Sequence, residues 1–135
     1  EEKKNLITTV GLNHILDTQF HASTQVTTWY IGLKGAGTPA AGDTMASHAT
    51  WSEITDYSGD RKEWTEGAAA SGSMTNASSV DFSVTGTATI AGAFLNTAST
   101  GTAGTLYGVV DFSSARSVIS GDTLQVTVTV TAASA

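Results

Sequence analysis

Thr123-Leu124-Gln125-Val126-Thr127-Val128-Thr129-Val130-Thr131 alternates without a break. Leu124, Val126, Val128 and Val130 fall on one face of an extended chain; Thr123, Gln125, Thr127, Thr129 and Thr131 fall on the other. One face belongs in a core, where burying each Val or Leu is worth about 1.5–3 kcal/mol. The other face is hydroxylated and uncharged. A strand this long, with no lysine, proline or bulge signal, makes a poor open edge. It is expected to pair on both sides, within its own sheet or against another subunit.

The pattern extends upstream. Val80, Phe82 and Val84 alternate with Asp81, Ser83 and Thr85, and Ala88, Ile90, Gly92 and Phe94 resume the alternation after Gly86. Both segments read as half-buried strands. Leu106 to Phe112 is apolar on both faces and reads as a central strand. Thr27 to Leu33 is β-branched and aromatic and reads the same way. Between them lie a loop at Lys34–Gly42, a short helical turn at Asp43–His48 with Asp43 as cap, and a short strand within Thr50–Tyr57. Ser58-Gly59-Asp60 and Ser120-Gly121-Asp122 are turn signals. Arg61 to Trp64 continues extended.

Only the N-terminal region has a helical period. Leu6, Ile7, Val10, Ile15, Leu16 and Phe20 recur at spacings that suit one face of a helix, with Asn5 as its cap. Gly11 weakens that helix by about 1 kcal/mol relative to alanine. Two readings stay open: the helix packs on the domain's own core, or it is an arm that docks on a neighbour. The fold class is therefore mainly β, an antiparallel β-sandwich or small barrel with one N-terminal α-helix. The helix or arm covers 1–22 and the β-sandwich domain 23–135.

The chain has 135 residues, enough for one domain with a real core, and no cysteine, which removes disulfides and thiolate chemistry. Charged residues make up 13% and the net charge is −6. That charge content is about half the usual ~25%, and it leaves no basic footprint for nucleic acid or an anionic membrane. No apolar run approaches the ~20 residues of a membrane span. Glu1-Glu2-Lys3-Lys4 does not open a signal peptide.

Candidate chemistry is thin. His14 and His21 lack a third ligand nearby for zinc. Ser47, His48 and Asp43 invite a hydrolytic triad, but adjacent residues seldom reach that geometry, and no nucleophile elbow surrounds the serine. A structural role fits better, with Asp43 capping its turn and His48 bonded to a loop carbonyl. Asp56, Asp60 and Glu63 do not meet the order of a calcium-binding hand. Nothing sets two of Glu53, Glu63 and Glu66 across a cleft as glycosidase carboxylates. No glycine pattern fits a nucleotide fingerprint. No catalytic residue and no cofactor is expected. Trp29, Trp51 and Trp64, with Tyr30 and Tyr57, suit either a core or a glycan-stacking platform, the latter built from Trp51, Tyr57 and Trp64.

Trp29-Tyr30-Ile31-Gly32-Leu33 is followed by a Gly/Ala loop with the only proline, Pro39, then Asp43-Thr44-Met45-Ala46-Ser47-His48-Ala49-Thr50-Trp51-Ser52-Glu53, Tyr57-Ser58 and Arg61-Lys62-Glu63-Trp64. All three tryptophans lie here. The order of these pieces, from about Leu6 to the final strand, resembles a family of small tailed-phage virion structural proteins. The resemblance implies a capsid-decorating or cement protein on the capsid surface of the virion. Its partners would be the major capsid protein and copies of itself, with a trimer at a capsid threefold. Leu6, Ile7, Val10, Ile15, Leu16, Phe20, Pro39 and Met45 are the expected capsid or subunit contacts. The alternative is a fibre or receptor-binding β domain of the same virion that holds glycans on Trp51, Tyr57 and Trp64.

Overall fold

The computed structural model describes residues 6–134. In chain order its elements are β1 (Leu6–Ile7), α1 (Thr9–Phe20), β2 (Tyr30–Gly37), β3 (Trp51–Ile54), β4 (Lys62–Glu63), β5 (Ser73–Thr75), β6 (Val80–Ser83), β7 (Ala88–Asn96), β8 (Leu106–Val118), β9 (Thr123–Val126) and β10 (Thr129–Thr131). Six strands form one antiparallel sheet in the order β1-β8-β7-β2-β3, with β4 also pairing to β2. The sheet is open, so of the two expected architectures the sandwich-like one stands and the closed barrel does not.

The second layer is a ribbon. β9 pairs with β6, and β10 with β5, both antiparallel. Each pairing leaves alternate residues facing the six-stranded sheet. Val80, Phe82, Val84 and Val126 from the ribbon meet Ile31, Leu33, Ala93 and Leu95 from the sheet in the main core. The sheet's other face holds a smaller cluster of Met45, Trp51, Phe94, Leu106 and Val109, roofed by the loop before β3. β7 is thus buried on both faces from Gly92 to Asn96. The alternation read there from sequence describes only its first half.

Several expectations need correction. The helix begins at Thr9, not at Leu6, and Thr8 is its N-cap, accepting a hydrogen bond from the Gly11 amide at 3.1 Å. Asn5, the cap expected from sequence, lies outside the described residues. Leu6 and Ile7 are extended and pair with Val109 and Gly108. The segment assigned to an arm therefore supplies a strand of the main sheet. β2 starts at Tyr30 rather than Thr27 and runs through Lys34 to Gly37, which the sequence places in a loop. Asp43–His48 is not helical: Thr44 and Ser47 exchange backbone hydrogen bonds of 3.0 and 3.1 Å in a tight turn.

The strand at 123–131 is split in two. The Asn76 side chain enters between the halves, donating to the Val126 carbonyl at 2.9 Å and accepting from the Val128 amide at 2.9 Å. Neither half has a second strand neighbour among the described residues, so the expected pairing on both sides does not occur within the chain.

Candidate functional site

α1 is seated by its first turn. Thr8 is fully buried; its hydroxyl donates to the Leu106 carbonyl, and its amide donates to the Tyr107 carbonyl at 3.1 Å. The Thr9 amide donates to the Ala41 carbonyl at 2.8 Å. Gly11 then lies directly on the Tyr107 backbone, where an added Cβ would stand 2.2 Å from the carbonyl oxygen. One turn on, the His14 ring meets Trp29 edge-on at 5.5 Å, and Trp29 meets Tyr107 in the same way at 5.6 Å. The Thr18 hydroxyl is buried without a partner.

Gly11, His14 and Thr18 share a helical face by spacing, and it is this small and polar face that turns inward. The apolar stripe turns outward. Leu12 is 47% exposed, Ile15 40%, Leu16 55% and Phe20 79%; with Ile119 these are the large exposed hydrophobics among the described residues. The helix does pack on its own domain, but through this small and polar face and not through the apolar residues. A close backbone contact at Gly11 decides which face docks, and a glycine has no side chain to announce it.

Beside the N-terminal strand runs a groove of about 470 Å³, walled by Leu6, Ile7, Leu95, Tyr107 and Val110 from the sheet and by Thr127–Thr131 from the ribbon. Of the contact residues expected from sequence, Leu6 and Ile7 line this groove, Ile15, Leu16 and Phe20 stand on the outer helical face, and Val10 and Pro39 are half-buried. Met45 is 1% exposed and belongs to the smaller core cluster, so it offers no contact surface.

The aromatic platform does not form. Trp51, Tyr57 and Trp64 are 5%, 6% and 4% exposed. Trp51 packs on Phe94 at 5.4 Å and donates from Nε1 to the Asp43 carboxylate at 2.9 Å. Trp64 donates to Asn76 at 2.8 Å. The Tyr57 ring meets Phe82 edge-on at 4.8 Å, and its burial, with Glu53 nearby, pushes the phenol up to about 12. These rings lie in the core because large apolar surfaces gain most from burial there.

The polar candidates are structural too. Asp43 accepts from the Ala40 amide at 2.8 Å as well as from Trp51. His48 stacks on the Trp51 ring at 4.0 Å, with Nδ1 3.2 Å from the Trp51 carbonyl. The triad suggested by Asp43, Ser47 and His48 is therefore not assembled. Glu53 binds Arg61 through two 2.8 Å contacts, which removes it from any carboxylate pair. Asp56, Asp60 and Glu63 are exposed. Among the described residues no three His, Asp or Glu side chains gather in a metal-holding group.

Sequence reasoning passed over Arg61. It is buried, bound to Glu53, to the Ala98 carbonyl at 2.9 Å and to the Gly101 carbonyl at 2.6 Å, and its guanidinium lies over Phe94. It ties the loop after β7 to β3. All of its partners but Glu53 are distant in sequence, so no local pattern marks it.

No curated protein matches the chain. A protein-family model described as Podophage GP4 fiber I protein gp80 matches residues 6–133. The match agrees with the tailed-phage virion reading at its broader level, but the family's description is of a fibre and not of a capsid decoration. With nearly its whole length matched, the chain belongs to the podophage GP4 fiber I protein gp80 family of phage virion structural proteins.

Proposed function

We propose that the chain is a non-enzymatic building unit of a podophage fibre, located in the virion and held there by protein–protein contact. The observation that supports this is the outward apolar face of α1. A helix anchored by Thr8 and Gly11 presents Leu12, Ile15, Leu16 and Phe20 to solvent. Contiguous exposed apolar surface of this kind marks an interaction site. Covering it in an assembly stabilises the assembled state by mass action, as any ligand of one state does. The glycan-binding version of the fibre reading loses its platform, since Trp51, Tyr57 and Trp64 are in the core.

Capsid decoration is the second reading, and the same helical face serves it. There the face would dock on the major capsid protein, with copies of the chain grouped about a capsid symmetry axis. Immunogold electron microscopy of virions carrying a tagged copy separates the two. Gold on the fibres supports the first reading. Gold over the head, with saturable co-sedimentation on expanded shells that lack the protein, supports the second. Particles without the tagged chain would overturn both.

A further inference from the structure

β9 and β10 form the free edge of the ribbon, and that edge is built to pair with itself. Exposure alternates in phase from Thr123 to Thr131 across the gap between the two strands: the odd-numbered residues are exposed, while Leu124, Val126, Val128 and Val130 are buried or half-buried. The backbone follows the same rhythm. The Val126 carbonyl and Val128 amide turn to Asn76, the Val128 carbonyl accepts from Thr75 Oγ1 at 3.1 Å, and the Val130 carbonyl from Ser73 Oγ at 3.4 Å. All of these point toward the β5–β6 side. Backbone groups alternate sides along a strand, so those of Thr123, Gln125, Thr127, Thr129 and Thr131 point to the open side.

None of the nine residues is charged and none is proline, in a chain with a net charge of −6. Edges left open in soluble proteins are normally blocked by lysine, proline or a bulge that turns the edge away. Across the gap here the alternation of exposure stays in phase, with Asn76 bonded to the residue on either side of Thr127. Two copies of an acidic chain meet with least repulsion along a charge-free line, and this edge is one. Its pattern is also symmetric about Thr127. Laid antiparallel on itself with Thr127 at the centre, Val126 falls opposite Val128 of the second copy and Leu124 opposite Val130. Gln125 then falls opposite Thr129, and Thr123 opposite Thr131. Hydroxyl pairs already form across this ribbon, at 3.1 Å between Thr129 and Thr75 and at 3.1 Å between Ser73 and Thr131, and the symmetric register repeats them.

We infer that two copies of this chain associate through antiparallel pairing of their 123–131 edges about a twofold axis at Thr127. The two ribbons then form one continuous four-stranded layer, and the half-buried Val128 and Val130 beside the groove are covered. The inference rests on the edge alone, so it holds whether the virion position is the fibre or the head.

The test is sedimentation equilibrium of the full chain with three substitutions at the axis. Wild type is expected to sediment at twice the monomer mass. Thr127→Lys sets two charges face to face, and Thr127→Pro removes an outward amide while leaving the inward bonds intact. Both are expected to sediment as monomers with an unchanged far-ultraviolet circular dichroism spectrum. The chain has no cysteine of its own, so Thr127→Cys reads the register directly. Opposed Cα atoms about 5.5 Å apart lie within disulfide reach, and a covalent dimer should form under oxidation. Thr123→Cys, which faces Thr131 rather than itself, should not cross-link. A wild-type monomer overturns the inference. So does an oligomer that survives Thr127→Lys, or one in which Thr127→Cys fails to cross-link; either places the contact on another surface.

Discussion

Lys34 reaches over a whole strand to bind Asp111. Lys34 is on β2 and Asp111 on β8, with β7 between them, and Gly92 of β7 is the register partner of both. With no side chain at Gly92, the lysine Nζ crosses to the Asp111 carboxylate at 2.8 Å and also donates to the Gly35 and Gly37 carbonyls at 3.0 and 2.6 Å. Lys34 is fully buried, whereas the Asp111 side chain is 38% exposed.

That asymmetry predicts unequal costs. Asp111→Ala leaves a buried ammonium without its carboxylate. It should cost about 2–3 kcal/mol in urea unfolding, less than a fully buried pair because water already reaches Asp111. Lys34→Met combined with Asp111→Ala should recover part of the loss, since no charge is then stranded. Lys34→Met alone completes the cycle, and single-variant costs that add up to the cost of the double variant would show that the pair does not couple.

Asn76 carries a second prediction. Its Oδ1 accepts from Trp64 Nε1 at 2.8 Å and from the Val128 amide at 2.9 Å, while Nδ2 donates to the Val126 carbonyl at 2.9 Å. Asn76→Ala leaves three groups unsatisfied in a largely buried place. An unmet buried group costs about 1–3 kcal/mol, and the total should be near the top of that range because water fills part of the gap. Asn76→Asp keeps the one oxygen that accepts both bonds but sets a carboxylate oxygen against the Val126 carbonyl in place of the donor, so it should cost at least as much as Asn76→Ala. Urea midpoints in the reverse order would contradict this account.

Gly11→Ala should reverse the usual sign. In an ordinary helix interior the change stabilises by about 1 kcal/mol. Here the new Cβ would meet the Tyr107 carbonyl oxygen at 2.2 Å, and backbone cannot yield cheaply. The first turn of α1 should lift from β8, seen as faster hydrogen exchange at the Thr8 and Gly11 amides and as a lower thermal midpoint. A rise in the midpoint would mean that the close contact is not maintained in solution.

These residues also mark where sequence reading succeeds and stops. The alternation at 80–84 and 123–131 is local, and the structure follows it, with Val80, Phe82, Val84 and Val126 in the core. The split at Thr127 is set by a side chain about fifty positions earlier, so the strand itself holds no sign of it. Lys34 reads as the start of a loop because its counter-charge is 77 residues away. Of the apolar stripe read for the helix, Ile15, Leu16 and Phe20 share one face of α1, whereas Leu6 and Ile7 belong to β1 and Val10 is half-buried. The direction of that stripe is not legible, because periodicity says which residues share a face and not what covers that face.

Alkaline stability follows from Tyr57. Burial, reinforced by Glu53, pushes its phenol up to about 12, and burial raises Tyr107 as well. The folded chain therefore holds protons that the unfolded chain releases near pH 10. The contribution of Tyr57 is complete below about pH 10 and is lost as pH rises toward about 12, a decline of roughly 2–3 kcal/mol. Tyr57→Phe should flatten the fall in urea midpoint over that window. An identical pH profile in the variant would assign the alkaline loss elsewhere.

The outer face of α1 should separate assembly from folding. Leu16 and Phe20 are 55% and 79% exposed, so Leu16→Glu and Phe20→Glu remove little core contact. Exposed substitutions of this kind usually change stability by no more than about 0.5 kcal/mol. The paired variant should keep the wild-type thermal midpoint. Its incorporation into virions should nevertheless fall at least about tenfold, because two charges placed in an apolar contact cost more than the 1.4 kcal/mol that a tenfold change in binding represents. Quantitative immunoblots of purified particles, compared with total protein in the lysate, measure that ratio. Normal incorporation of the double variant would remove α1 from the assembly surface, and the virion contact would then have to lie on the sandwich itself.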